Sequence, residues 1–303
     1  MMRKSPMKQE SRQTISGADF EHYFQPQNLE KALEIKAKYE DQIEVAAGST
    51  DLLVANYEKL HEIKNWLDLD KIEELRRIEV KDNNLHIGAM ATHLQLMKSD
   101  VVKEKLAVLA AAAEDVGSPQ IRSRGTIGGN ICTSSPAGDL LAPLLSYEAG
   151  FKLQSAEGER IVAAEKFFTG PKRNLMEADE LLTEIIIPLT ENEREGAWVK
   201  VGRRKALVIS TLTLSVVLEF ESDKIVKAGV AMGSVAPTPV RLGEVEEMML
   251  GGKLAELDYK KLGQEVKARI NPIDDLRGTK EYREDVAVDV MIRALNEIEG
   301  KRG

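Results

Sequence analysis

The chain has 303 residues, 43% of them hydrophobic, which is enough to fill the cores of two domains of ordinary size. Its net charge of −8 comes from interspersed signs with no basic stripe, so nucleic acid and anionic membrane are poor partners. The one cysteine, Cys132, can form no internal disulfide, and an iron–sulfur cluster takes about four ligands, so any such cluster belongs to another chain.

Residues 1–18 are polar and hold no apolar run that could serve as a signal-peptide core; a disordered tail is expected. No later stretch approaches the ~18 apolar residues needed to span a bilayer, which points to a cytoplasmic protein with no membrane partner. Asn28 is placed to cap a helix from Leu29 to Tyr39, with Leu29, Ala32 and Leu33 on one face, and QIEVAAG follows as a short buried strand. In AAGSTDLL, 46 to 53, a strand then runs through a glycine turn into a helix start. That arrangement gathers free backbone N–H groups and suits an anion, although a single glycine there also marks a plain tight connection. It is neither a Walker nor a Rossmann fingerprint, lacking both the lysine and the glycine spacing.

LRRIEVKDNNLHIGAMAT reads as a hairpin turning at Asp82, Asn83 and Asn84, after which Thr92 and Gln95 have capping-box spacing. Residues 100–116 read as one helix that Gly117 stops. The stretch TIGGNICTSSPAGDL, Thr126 to Leu140, has almost no bulk. Its paired glycines disfavour a helix interior and its small residues disfavour a core strand, so it suits a backbone that something approaches closely. Gly128 and Gly129 permit that approach, Thr126 and Asn130 offer side-chain hydrogen bonds, and Asp139 can accept from a ribose hydroxyl. A diphosphate held by both loops accounts for the composition; a glycine-rich surface turn is the alternative.

PLTENEREG, 188–196, reads as a junction. Beyond it AWVKVGRR, LTLSVVLEF and IVKAGVAMGSV are expected as three antiparallel strands, the last two joined at Glu221 to Lys224. GEVEEMML, YKKLGQEVKARI and REDVAVDVMIRALNEI follow as three helices packed on one side of that sheet.

The segments AAGSTDLL, GSPQIRSRGTIGGNICTSSPAGDL, DELLTEIIIP, GSVAPTPVR and DLRGTKEYRED, in this order and spacing, closely resemble the FAD-binding medium subunits of the molybdenum hydroxylases, a family that includes xanthine, nicotinate and aerobic carbon monoxide dehydrogenases. The resemblance runs from about residue 20 to the C-terminus. It implies an α+β chain: a two-lobed FAD-binding domain of the PCMH type over 19–190, with a small α/β lobe (19–75) and a larger mixed lobe (76–190), then a CO-dehydrogenase-flavoprotein-like domain over 196–303.

The resemblance also implies roles. Ala46, Ala47, Gly48, Ser49, Thr50, Asp51 and Leu52 match the first flavin loop, and Thr126, Ile127, Gly128, Gly129 and Asn130 the second, both around the diphosphate of a non-covalent FAD. Asp139 matches the aspartate on the adenosine ribose, Gly117 and Ser118 lie where backbone nears the cofactor, and Leu182 and Lys200 match positions against the isoalloxazine, the lysine at its polar edge. Read from the residues alone, Leu182 is equally a core residue and Lys200 a solvated one.

By the same resemblance, molybdopterin sits on a large partner subunit and two [2Fe–2S] clusters on a small one, and the flavin delivers electrons to NAD+ or another acceptor. This chain then needs no nucleophile and no metal ligands; His22, His61, His86 and His93 are scattered. Two features depart from the family. GRRKALVIS has Val208 where an aspartate is usual, and the single cysteine excludes the cysteine-rich insertion of the 4-hydroxybenzoyl-CoA reductase branch. Cys132 reads as a small buried thiol, or as a neighbour of the flavin. The rival readings are a free-standing FAD-dependent oxidoreductase, for which no general base stands out, and a non-enzymatic scaffold with a degenerate flavin fold, against which both retained loops count.

Overall fold

The structure, a computed structural model, describes residues 21–58, 63–204 and 207–303. The tail assigned to 1–18, His61, and Lys205 and Ala206 of GRRKALVIS lie outside the described residues.

Three short parallel strands open the chain: β1 (His22–Phe24), β2 (Glu44–Ala46) and β3 (Asn65–Asp68), in the order β1-β3-β2. Helix α1 (Leu29–Tyr39) joins the first two, and the Asn28 side chain accepts from the Lys31 N–H at its start, as the sequence predicts. Ala32 and Leu33 pack with Leu67, Leu69, Ile72 and Met90 in a small core. Helix α2 (Leu52–Tyr57) follows β2.

β4 (Ile78–Lys81) and β5 (Asn84–Gly88) form the expected hairpin. Its two connecting residues, Asp82 (φ 48°) and Asn83 (φ 57°), are both left-handed, the requirement of the type I′ turn whose twist matches that of the strands. The Thr92–Gln95 capping box is formed in full at α3 (His93–Lys98). The single helix predicted over 100–116 is instead two, α4 (Asp100–Lys105) and α5 (Ala107–Glu114), broken at Leu106 (φ −135°). Leu106 is fully buried; the break lets Val102 and the Val108–Leu109 face enter one core, and that burial outweighs helical continuity.

After α6 (Pro119–Arg124), the TIGGN stretch is itself helical, α7 (Ile127–Thr133), against the expectation that its glycines exclude a helix. Thr126 caps this helix by accepting from the Gly129 N–H at 3.0 Å, and packing against Ala89 offsets the entropic cost of the glycines.

Helix α8 (Leu141–Ser146), β6 (Gly150–Gln154) and β7 (Glu159–Ala163) come next, then a small insert of α9 (Ala164–Phe167), β8 (Phe168–Gly170) and β9 (Arg173–Asn174), and β10 (Leu181–Pro188). β4, β5, β10, β6 and β7 make one antiparallel sheet in that order, over the largest core.

The last sheet is antiparallel and has four strands where three were expected: β11 (Glu193–Val201), β12 (Leu212–Glu221), β13 (Lys224–Gly233) and the two-residue edge strand β14 (Val240–Arg241). β11 begins inside the predicted junction, because Glu193–Gly196 pair with Val217–Phe220. Helices α10 (Gly243–Glu247), α11 (Tyr259–Arg269) and α12 (Lys280–Arg302) cover one face. The other face is covered too: Val217 and Ala231 belong to the core shared with α5 and α8, which explains why β12 is buried along nine of its ten residues.

Candidate functional site

A cleft of about 340 Å³ opens where the small parallel sheet, α7 and β10 meet. Four of the predicted residues line it: Ala47, Gly128, Gly129 and Leu182. The rest of its apolar wall, which includes Ile43, Val45, Leu69, Met90, Met176 and Leu181, carries no mark in the sequence, because only the fold brings these segments together. Lys36 stands at its rim. Its Nζ donates to the carbonyls of Glu40 and Ala178, so a helix lysine that would be taken for a solvated one ties α1 to the chain before β10. Burial lowers its pKa.

The first loop leaves a run of backbone N–H groups free. β2 ends at Ala46, whose side chain is in the core and whose carbonyl accepts from Leu69 N–H. Ser49 adopts a left-handed conformation (φ 57°), which turns the chain so that consecutive N–H groups converge. Among the described residues, no protein acceptor meets the N–H groups of Gly48, Ser49, Thr50, Asp51 and Leu52. Gly48 is required: a Cβ there would lie 2.1 Å from the Arg124 carbonyl oxygen.

The second stretch differs. The N–H groups of Ile127, Gly128 and Gly129 already donate to Ala91, Ala89 and the Thr126 hydroxyl, so among the described residues the run of free amides lies in the first loop. At Gly128 the backbone that comes close is the protein's own, since a Cβ would stand 2.7 Å from the Ala89 oxygen. Gly129 faces the first loop, its Cβ direction meeting Thr126 Oγ1 at 3.0 Å and Ala47 Cβ at 3.9 Å. Ile127 and Thr126 are buried, while the buried Asn130 Oδ1 has no partner among the described residues. Cys132 is exposed on the cleft, 3.7 Å from the Met176 sulfur, which corrects the reading of a buried thiol; α7 turns it outward.

The remaining predicted residues gather elsewhere, around Asp115 just beyond α5. Lys200 Nζ donates to the Asp115 carbonyl at 2.9 Å and to Asp139 Oδ2 at 2.7 Å, and Trp198 Nε1 donates to the Asp115 carboxylate at 2.9 Å. Gly117 (φ 45°) and Ser118, which caps α6, follow two and three residues on. Val208 packs on its own loop, where a Cβ on Gly202 would meet it at 2.4 Å. The Asp139–Lys200 pair is nearly closed to solvent, at 12% and 9% exposure, and Asp139 Oδ1 is buried with no partner among the described residues.

Burial acts most strongly on the Asp139 carboxyl; with Lys200 opposing it, the pKa still moves from 3.8 up to about 6. A carboxyl with a higher pKa folded than unfolded supports the fold at low pH and loses that contribution as pH rises from 3.8 to about 6. The stability of the cofactor-free protein relative to Asp139→Asn should therefore fall across this window. Urea unfolding of both proteins on either side of it measures the difference, and a pH-independent difference contradicts the buried pair.

The free amides, the two unpartnered oxygens and the apolar cleft fit a dinucleotide cofactor. Residues 18–190 match the FAD binding domain in molybdopterin dehydrogenase, and residues 197–298 match the CO dehydrogenase flavoprotein C-terminal domain. The chain is 34% identical to the nicotinate dehydrogenase FAD-subunit of Eubacterium barkeri over 241 residues, 78% of this chain and 81% of that one. It is 30% identical to the xanthine dehydrogenase FAD-binding subunit of Escherichia coli O157:H7 over 267 residues, 88% of this chain and 91% of that one. Its fold matches a chain of the reconstituted CO dehydrogenase from Oligotropha carboxidovorans with a TM-score of 0.89 at 30% identity, covering 95% of this chain and 99% of that chain. With matches of this extent on both halves, and with the first loop's amides open to a diphosphate, the chain belongs to the FAD-binding medium subunits of the molybdenum hydroxylase family.

Proposed function

We propose that this subunit holds one non-covalent FAD between its two loops and uses it to pass electrons from [2Fe–2S] clusters on a small partner subunit to NAD+ or another acceptor, the substrate being oxidised at molybdopterin on a large partner subunit. The observation that carries the reading is the run of free N–H groups from Gly48 to Leu52, which directly follows Ala47, where the first loop meets Gly129 at the cleft. When bound, FAD supplies a ring that takes up single electrons and gives them up as a hydride.

This chain's residues bind and orient. The amides of Gly48 to Leu52 hold the diphosphate, and Asn130 Oδ1 accepts from a cofactor hydroxyl. Asp139 and Lys200 form one ion pair and therefore serve one end of an extended dinucleotide, while Leu182 in the cleft serves the other. This revises the assignment that set Leu182 and Lys200 against one ring with Asp139 at the opposite end. The cleft beside Leu182 has room for the adenosine, and the redox-active ring is set toward Lys200 and Asp139, whose charges tune it.

The experiment is acid extraction of the purified, folded chain. About one FAD per chain is expected, because FMN lacks the adenosine that the cleft accepts. Release of FMN, or of no flavin after supplementation with FAD, overturns the assignment.

A further inference from the structure

The motifs GSVAPTPVR and DLRGTKEYRED take no part in the cleft, yet they meet in an ionic clamp around one buried guanidinium, that of Arg283. Arg283, in the first turn of α12, is 1% exposed; its guanidinium donates to the Ser234 carbonyl at 2.7 Å and to Asp275 Oδ1 at 2.5 Å. Asp275 Oδ2 accepts from Arg277 Nε at 3.0 Å, and Arg277 donates onward to the Ser210 carbonyl at 3.2 Å.

From there two paths lead to the Asp139–Lys200 pair. The Ser234 N–H donates to the Pro136 carbonyl at 2.8 Å, with the Ser210 hydroxyl 3.5 Å from the Ala137 carbonyl oxygen, and these residues run directly into Gly138 and Asp139. On the other side the Thr211 N–H closes the loop after β11 onto the Val201 carbonyl at 2.7 Å, while its hydroxyl donates to the Arg277 carbonyl at 3.3 Å; Val201 adjoins Lys200. Burying the Arg283 guanidinium is a costly way merely to fasten a helix to a sheet, since apolar side chains do so at least as well. What the rigid guanidinium forks add is direction, because they fix the carbonyls of Ser210 and Ser234 in one geometry.

We propose that Asp275, Arg277 and Arg283 are positioning residues for the flavin. They hold the backbone on which both partners of the Asp139–Lys200 pair ride, and so set where that pair stands against the cofactor. The inference rests on the reading above that this pair faces FAD.

The test uses the full, FAD-loaded chain carrying Lys200→Met, Arg277→Met, both together, or Asp275→Asn. FAD affinity and the visible flavin spectrum are measured. Arg277→Met should weaken FAD binding about tenfold, the size of one charge-assisted hydrogen bond, and shift the flavin band. In the Lys200→Met background the same change should have a smaller effect, because one of the two partners that the clamp positions is already gone. If Lys200→Met alone alters neither affinity nor spectrum, the reading of the pair as facing the cofactor fails. If Lys200→Met alters them and Arg277→Met does not, or if the two effects simply add, the clamp has no positioning role while the site stands. Asp275→Asn gives a second measurement should Arg277→Met misfold, and unfolding of both overturns the positioning role in favour of a structural one.

Discussion

Gly129→Val is expected to leave a folded protein that no longer keeps FAD through purification. The Cβ direction of Gly129 points across the gap toward the first loop, with Ala47 Cβ 3.9 Å away and the Thr126 hydroxyl at 3.0 Å, so a small shift of the cap accommodates the Cβ while two further methyl groups enter the space the diphosphate needs. Overpacking of this kind costs about 1–3 kcal/mol, or roughly fivefold to more than a hundredfold in affinity. Gly128→Val should behave differently. Its Cβ would meet the Ala89 oxygen and Cβ, both at 2.7 Å, so the substitution strikes the seat of α7 and lowers stability itself. Asp139→Ala also differs, since it leaves Lys200, 9% exposed, without its carboxylate partner. Thermal unfolding and FAD titration separate the three. Parent-like FAD affinity in a folded Gly129→Val protein removes the cofactor from this gap.

What the sequence makes legible here is what is encoded within a few residues. The Asn28 cap, the Thr92–Gln95 capping box and the hairpin turn each need only neighbours in the chain; the two caps are formed as read, and the turn, read over Asp82 to Asn84, closes on Asp82 and Asn83 with Asn84 already in the strand. Where a distant partner decides, the local reading fails. TIGGN looks unhelical until Ala89 and Ala91 supply acceptors for the first amides of α7, and the helix over 100–116 looks continuous until Leu106 finds a core that favours breaking it. The site divides in the same way. The composition of the first loop announces its free amides, but Met90, Leu69 and Met176 reach the cleft from three separate segments and carry no local mark. Nor does spacing reveal that Asp139 and Lys200, 61 positions apart, form one pair.

The isolated, FAD-loaded chain should oxidise none of xanthine, nicotinate, aldehydes or carbon monoxide, yet should transfer electrons from NADH to a dye. With a single cysteine, exposed on the cleft, the chain cannot supply the roughly four ligands of an iron–sulfur cluster, so the proposed route from a molybdenum centre through such clusters to the flavin needs partner chains. Transfer from NADH needs only a bound flavin that the nicotinamide can reach, and the residues proposed to hold and tune the cofactor, from the Gly48–Leu52 amides to the Asp139–Lys200 pair, all belong to this chain. The first activity should therefore be absent and the second present, and the second should disappear in Gly129→Val, which ties it to the same flavin. The assay runs both reactions on one sample whose molybdenum and iron content is measured. Robust substrate oxidation with neither metal present would make the chain a free-standing flavoenzyme. Absence of NADH–dye activity in a fully FAD-loaded sample would remove NAD+ as the acceptor and leave the electrons to another one.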